Sequence, residues 1–325
     1  MASSYPFLKS SAFVATSLLF TAGAVLAQYP ERSVRLVVPY APGGGTDLTG
    51  RLAGQRLTEA LGKQFIVDNR TGGAGNIGTE LVARATPDGY TLLIASLSNS
   101  VNVSLFPKLP INPVTNFDPV SLLVTVPMML VVHPSLPVKS IQDLVTLAKA
   151  RPGQLNYSSG GMGTANHVAG ELFKYMAQVD IVHVPYKGGA PALSDVIAGQ
   201  IHLIFGTMTM TRDFAKSGRL RALATTGPKR SAAAPELPTI TEAGVAGYEV
   251  GAWYGLLAPV GTPKPVVGKL SEELARIVRI PEVRASLLAQ GSEPAGSTPE
   301  EYAKFLRAEI DKWARIAKAS GMRAD

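Results

Sequence analysis

Two glycine-rich stretches hold most of the residues able to bind or react. One runs Ala41-Pro42-Gly43-Gly44-Gly45-Thr46-Asp47, the other Ser158-Ser159-Gly160-Gly161-Met162-Gly163-Thr164. They share Gly-x-Gly-Thr, at Gly43 to Thr46 and again at Gly161 to Thr164, 118 positions later. A glycine turn that opens a helix leaves several backbone N–H groups without an intrahelical partner and aims the positive end of the helix dipole at one point. The chemistry this suits is capture of an anion. Each helix end contributes roughly 0.3 to 1 kcal/mol toward an exposed charge, and up to about 2 kcal/mol toward a partly buried one. The hydroxyls of Thr46, Ser158, Ser159 and Thr164 can add donors. Neither stretch holds an arginine, and the only formal charge is Asp47. Neutral donors fit a monocarboxylate or dicarboxylate, whereas a polyphosphate would demand cations or Mg²⁺.

Each candidate has a structural reading beside the functional one. Gly43, Gly45, Gly160, Gly161 and Gly163 either let backbone approach a ligand or serve ordinary turns that need positive φ. Thr46 and Thr164 donate hydroxyls to an anion, cap their helices, or both. Asp47 favours the helix dipole but repels an anionic solute, so it caps, binds a donor group of the solute or orders water. His167, one turn into its helix, packs or touches solute. Tyr40, ahead of Ala41, and Tyr186 stand at strand ends where rings can wall a cleft. Thr207, Thr209 and Arg212 follow a strand at Ile201 to Phe205 and can line the same mouth, with Arg212 the cation expected to read a second acidic group. Lys187 supplies a positive field or is a solvated surface lysine. Trp253 and Tyr254 are expected to pack a hinge.

Other chemistries find little footing. The chain has 325 residues and no cysteine, which removes disulfides, thiolate nucleophiles and zinc–cysteine sites together. His133, His167, His183 and His202 lack metal-binding spacing. The formal charge of +7 is spread along the chain without a basic stripe, so nucleic acid is not an expected partner. Gly73-Ala74-Gly75-Asn76-Ile77-Gly78 matches G-x-G-x-x-G, yet no acid stands between Asp88 and Asp118 to hold a ribose. No G-x-S-x-G elbow occurs. Ser158 or Ser159 with His167 and a distant Asp can still form a triad in space, which keeps an exported serine hydrolase or lyase as the alternative enzyme reading.

The elements that must position these loops alternate. An apolar strand at Ser33 to Tyr40 enters the first glycine loop, and Leu48, Leu52, Leu57 and Leu61 follow at helical spacing. A strand at Gln64 to Asp68, the loop around Gly72-Gly73, a helix to about Ala85 and a strand at Tyr90 to Ser96 come next. The order returns with a strand at Leu155 to Ser158, the second glycine loop, a helix from Ala165 to Met176, and a strand at Ile181 to Val184 meeting Tyr186-Lys187-Gly188-Gly189. This predicts two α/β units with mainly parallel sheets and one cleft between the paired loops. Pro-rich connections near Leu105 to Pro119 and Pro127 to Pro137 mark the exit from the first unit. Past Pro265 only helices are expected, the last beginning at Thr298-Pro299-Glu300-Glu301 and packing back on the first unit. The chain therefore crosses between units twice, with residues 28–127 plus 251–325 as domain 1 and 128–250 as domain 2. Ahead of them, Lys9, the apolar run from Ala12 to Leu26 and Val25-Leu26-Ala27 before Gln28 read as a cleaved signal peptide over residues 1–27. The run is too short for a membrane span.

Taken together, Val37 to Asp47, the Asn69 to Gly78 loop, Ser158 to His167 and Val184 to Ala192 resemble the Bug or TctC family. Those are the periplasmic solute-binding proteins of tripartite tricarboxylate transporters. The resemblance covers the whole mature chain. It implies a two-domain clamshell of the periplasmic-binding, type II-like fold with a helical C-terminal segment on domain 1. It also implies a soluble periplasmic monomer without cofactor, closing on a small carboxylate and offering it to separate membrane permease subunits. In such proteins the first-domain loop and the Ser-Gly loop approach the carboxylate from both sides, partly through water. On that ground Tyr40, Ala41, Gly43, Gly45, Thr46, Asp47, Ser158, Ser159, Gly160, Gly163, Thr164, His167, Tyr186 and Thr207 form the expected binding set. Val103 departs from the family's Ala-Ile-Asn-Pro, which weakens transfer of a role to the Ser96 to Asn102 loop. A sensor presenting its closed form to a membrane kinase would look the same in sequence.

Overall fold

The computed structural model describes residues 29–322, with Met1 isolated from them. Apart from Met1, the expected leader at residues 1–27 lies outside the described residues. The first unit runs β1 (Val34–Val38), α1 (Gly45–Leu61), β2 (Phe65–Asn69), α2 (Asn76–Ala83), β3 (Thr91–Ser96) and α3 (Leu97–Leu105). A long strand, β4 (Phe117–Val132), leads to the second: α4 (Ile141–Ala150), β5 (Asn156–Ser159), α5 (Ala165–Ala177), β6 (Val182–Pro185), α6 (Gly189–Ile197), β7 (Leu203–Thr207), α7 (Met208–Lys216) and β8 (Arg221–Thr225). The chain returns through β9 (Gly251–Pro259) and closes with α8 (Lys264–Arg279), α9 (Pro281–Ala289), β10 (Glu293–Pro294) and α10 (Pro299–Ser320).

The strands join in the order β2-β1-β3-β9-β4-β7-β5-β6, with β8 and β10 also on β4. Two parallel trios, β2-β1-β3 and β6-β5-β7, are the expected α/β units. The antiparallel strands β9 and β4 stand between them, which makes the whole sheet mixed. Val34, Leu36, Val37 and Val38 of β1 are all fully buried because helices cover both faces, and Arg35 alone interrupts the apolar run.

The sequence reading placed connections where β4 is a continuous strand, and the structure overturns that. Pro119 sits at a register shift and Pro127 at the last pair with β9, opposite Gly251, before β4 takes up β7 at Met128↔Thr207. Those are places where a strand loses least by lacking an N–H donor. The segment expected as a loop from Ser96 to Asn102 is the N-terminal part of α3. The tail, expected to be helical only, also carries the two-residue β10 against Val124 and Thr125. Its last helix starts as predicted. Thr298 Oγ1 accepts from the Glu301 N–H at 3.2 Å, Glu301 Oε2 accepts from the Thr298 N–H at 2.9 Å, and Gly321 ends the helix at φ +70°. α10 packs on α3 and β4, burying Tyr302, Leu306 and Trp313.

Candidate ligand-binding site

The two glycine turns face one cavity of about 40 Å³ between the lobes. From the first lobe come Tyr40, Gly44, Gly45 and Thr46 at the start of α1, and Ser96, Leu97 and Ser98 at the start of α3. The second lobe contributes Thr164, Ala165 and Asn166 of α5, Gly189 of α6, and Thr207 and Met210 of α7. Ala252, Trp253 and Tyr254 of β9 form the back wall. Five helix N-termini therefore converge, and among the described residues no Lys, Arg, Asp or Glu lines the space. Larger hollows of about 420 Å³ beside α7 and about 280 Å³ between β4, β9 and α10 are open to the surface and lined partly by its charged side chains. They lack this convergence.

The turns are held by equivalent devices in a register the sequence motif conceals. Aligned on their helix N-caps, Gly44 and Thr164, the repeats are 120 positions apart rather than 118. Gly43 (φ +84°) then matches Gly163 (φ +70°), both in the left-handed region that favours glycine. Asp47 matches His167. Asp47 Oδ2 accepts the Gly43 N–H at 2.9 Å, and His167 Nδ1 accepts the Gly163 N–H at 3.1 Å. Asp47 also accepts from Arg51 Nε at 2.9 Å and Asn69 Nδ2 at 2.9 Å. Burial alone would raise its pKa, but Arg51, the Gly43 N–H and Asn69 outweigh burial and hold the carboxyl below its usual range. His167 has no such support. Burial, with a smaller push from Lys174, depresses it to about 4 and keeps it neutral.

Of the expected binding set, the structure brings Tyr40, Gly45, Thr46, Thr164 and Thr207 onto the cavity wall. Ser158 and Ser159 stand behind it, fully buried. Ser158 Oγ donates to Ala192 O at 3.0 Å, while Ser159 Oγ accepts the Gly161 N–H at 3.1 Å and lies 2.6 Å from His183 Nε2. Their hydroxyls fasten the second turn. Asp47 and His167 likewise act within their turns. Tyr186 faces α6 instead of the cavity, with its phenol 2.5 Å from Asp195 Oδ2; burial and then Asp195 push it up to about 12. Ala41 donates its N–H to Lys187 O across the lobes at 3.3 Å. Gly160 lets the second turn pass the start of α6, where a Cβ would come within 3.0 Å of Gly189 N. Arg212, expected to read a second acid, instead donates through Nη1 to Ala289 O at the end of α9.

The sequence of this chain matches the family described as the tripartite tricarboxylate transporter family receptor over residues 50–322. The chain belongs to that family. It is 34% identical over 295 residues to protein BugT of Bordetella pertussis, covering 90% of each chain. Among solved structures it is similar to R. palustris Rpa4515 with adipate, at 39% identity and a TM-score of 0.88, covering 91% of this chain and 99% of that one. It is also similar to MatC from Rhodopseudomonas palustris with bound malate, at 32% identity and a TM-score of 0.85, covering 89% and 99%. The family is one of transporter receptors rather than of enzymes. This receptor shares their periplasmic-binding fold, and among its described residues no helix is long and apolar enough to cross a membrane.

Sequence reasoning missed part of the receptor's wall. Ser96, Leu97 and Ser98 were discounted with the α3 segment. Asn166 and Met210 had no local signal, and Gly189 had one only in its pairing with Gly188. Trp253 packs against Tyr302 and Phe305 of α10, and with Tyr254 it also closes the cavity. The ring of Tyr254 lies so near Gly45 that a Cβ there would overlap its hydroxyl.

Proposed function

We propose that this receptor closes its two lobes on a small organic carboxylate and delivers it to the membrane subunits of a tripartite tricarboxylate-type transporter. The moving lobes are residues 28–127 plus 251–325 and residues 128–250, with the hinge where β4 changes partner after Pro127 and where the chain re-enters β9 at Gly251. The chain works in the periplasm after loss of residues 1–27. One observation carries the reading: five helix N-termini meet at a cavity whose lining has no charged side chain. At roughly +0.5 elementary charge each, such ends attract an anion that needs no counter-cation. The adipate and malate held by the two solved relatives are of that class.

Calorimetry or thermal shift against a panel of carboxylates, neutral sugars and amines tests it. Carboxylates alone should bind, and one at about 100 times its Kd should stabilise the fold by roughly 2.7 kcal/mol. A panel in which sugars or amines bind and carboxylates do not ends the reading.

A further inference from the structure

The hollow beside α7 lies in the second lobe and shares no lining residue with the cavity between the lobes. At about 420 Å³ it falls within the size of small-molecule sites, which run from about 300 to 1,000 Å³. Its floor is apolar. Met129 of β4, Leu220 and Ala234 line it, and all three are buried. They belong to a small apolar cluster of that lobe, separate from the main core. Arg212 and Lys216 of α7, Arg221 of β8 and Glu236 stand around the same space, so three cations face one acid. Among the described residues, none of the three cations is in an ion pair with a carboxylate.

Two of these cations are held in position by groups that leave their charge uncancelled. Arg221 Nη1 donates to Leu136 O at 3.1 Å and to Val138 O at 2.9 Å, and Arg212 Nη1 donates to Ala289 O. A carbonyl orients a guanidinium without neutralising it. Three like charges around one hollow repel each other, and an anion among them relieves that repulsion. An inorganic anion would leave the apolar floor wet, whereas a ligand with an apolar body covers the floor while its acid group meets the cations. We propose that this hollow is a second binding site, for a small amphipathic organic anion. The apolar body sits on Met129, Leu220 and Ala234, and its acid group turns to Arg212, Lys216 and Arg221. Since the two sites share no wall, occupancy of this one does not depend on what the cleft between the lobes takes.

The test is calorimetric titration of the full mature chain with naphthalene-2-sulfonate, against the uncharged naphthalene-2-sulfonamide as a matched control. An ionic strength of about 20 mM keeps surface charges weakly screened. The proteins are the parent, Lys216→Glu and Ala215→Leu, each first checked by its thermal melt. Ala215 lines the hollow, so the added bulk takes up part of it. Lys216 is exposed, and its variant carries the test alone should the Ala215 change cost the fold. The parent should bind the sulfonate at least about tenfold more tightly than the sulfonamide. Reversing the charge in Lys216→Glu should weaken the sulfonate by about tenfold and the sulfonamide by less than about twofold. Ala215→Leu should weaken both. A sulfonate that does not bind, that binds no better than the sulfonamide, or whose affinity either folded variant leaves unchanged overturns the site.

Discussion

Asp47 and His167 occupy the same place in two equivalent turns, yet they respond to acid at different points. The His167 ring stays neutral well below the usual range, titrating only at about 4, because burial opposes its charge, and the tilted ring of His183, 4.5 Å away, is likewise depressed to about 4, mainly by burial. Facing this pair are Lys174, Glu171 and the Tyr157 phenol, which donates to Glu171 Oε1 at 2.7 Å. An unfolded histidine titrates near 6.5, so between about 6.5 and 4 the unfolded chain binds more protons than the folded one. Stability therefore rises with pH across that window and is lost as pH falls through it. For His167 the full effect is of order 3 kcal/mol. Asp47, with its pKa lowered, holds its contribution until lower pH. Melts from pH 7 to pH 4 should show the fall, and His167→Gln, which keeps an acceptor without the titration, should flatten it; an unchanged slope in that variant removes His167 as the cause. The glycines make the second prediction at this scale. A Cβ on Gly163 would overlap Asn102 Oδ1 across the lobes and strain φ +70°. Gly163→Ala should lower solute affinity at least about tenfold, since only a closed cleft brings those atoms together, and a variant with parental affinity would show that closure does not need the contact.

Elements were legible in proportion to how local their signals are. The glycine loops, the strand leading into each and the capping box of α10 depend on residues within a few positions, and they could be read directly. The repeat register could not, because Gly-x-Gly-Thr recurs in sequence two residues away from the helix starts it appears to mark. α3 was hidden because Leu-Ser-Asn-Ser-Val-Asn-Val-Ser-Leu is poor in helix formers and holds together through burial against α10. β4 was hidden because its prolines fall where strand pairing changes, a property of the sheet rather than of the segment. α10 also fastens the back wall of the cavity. Glu309 Oε2 accepts the indole N–H of Trp253 at 3.1 Å and of Trp313 at 3.2 Å, and both indoles are buried. Glu309→Ala orphans two buried donors and should cost about 2 to 4 kcal/mol in denaturant melts. Glu309→Gln retains an acceptor and should cost less; equal costs would mean that packing of the stem, not the shared acceptor, holds the helix.

At the scale of the whole molecule, the two lobes are also joined by contacts that lie away from the candidate cavity. Ala41 and Lys187 join the rims, and Arg212 of α7 in the second lobe donates to the last carbonyl of α9 in the first. A cation at the negative end of a helix is favourable, and at a partly exposed site it contributes about 1 kcal/mol. In the closure proposed above, that contact forms when the lobes meet, which assigns it to the closed state rather than to the encounter. Arg212→Ala should accordingly leave the association rate unchanged and speed release about fivefold. Trp253 lies on the cavity wall and pairs with Thr125 beside the proposed hinge, so its fluorescence in a Trp313→Phe background offers the stopped-flow signal. A slower association with unchanged release would place Arg212 on the entry path and remove it from the closed state. Release as slow as in the parent would mean that the rim contacts and the solute alone hold the lobes together.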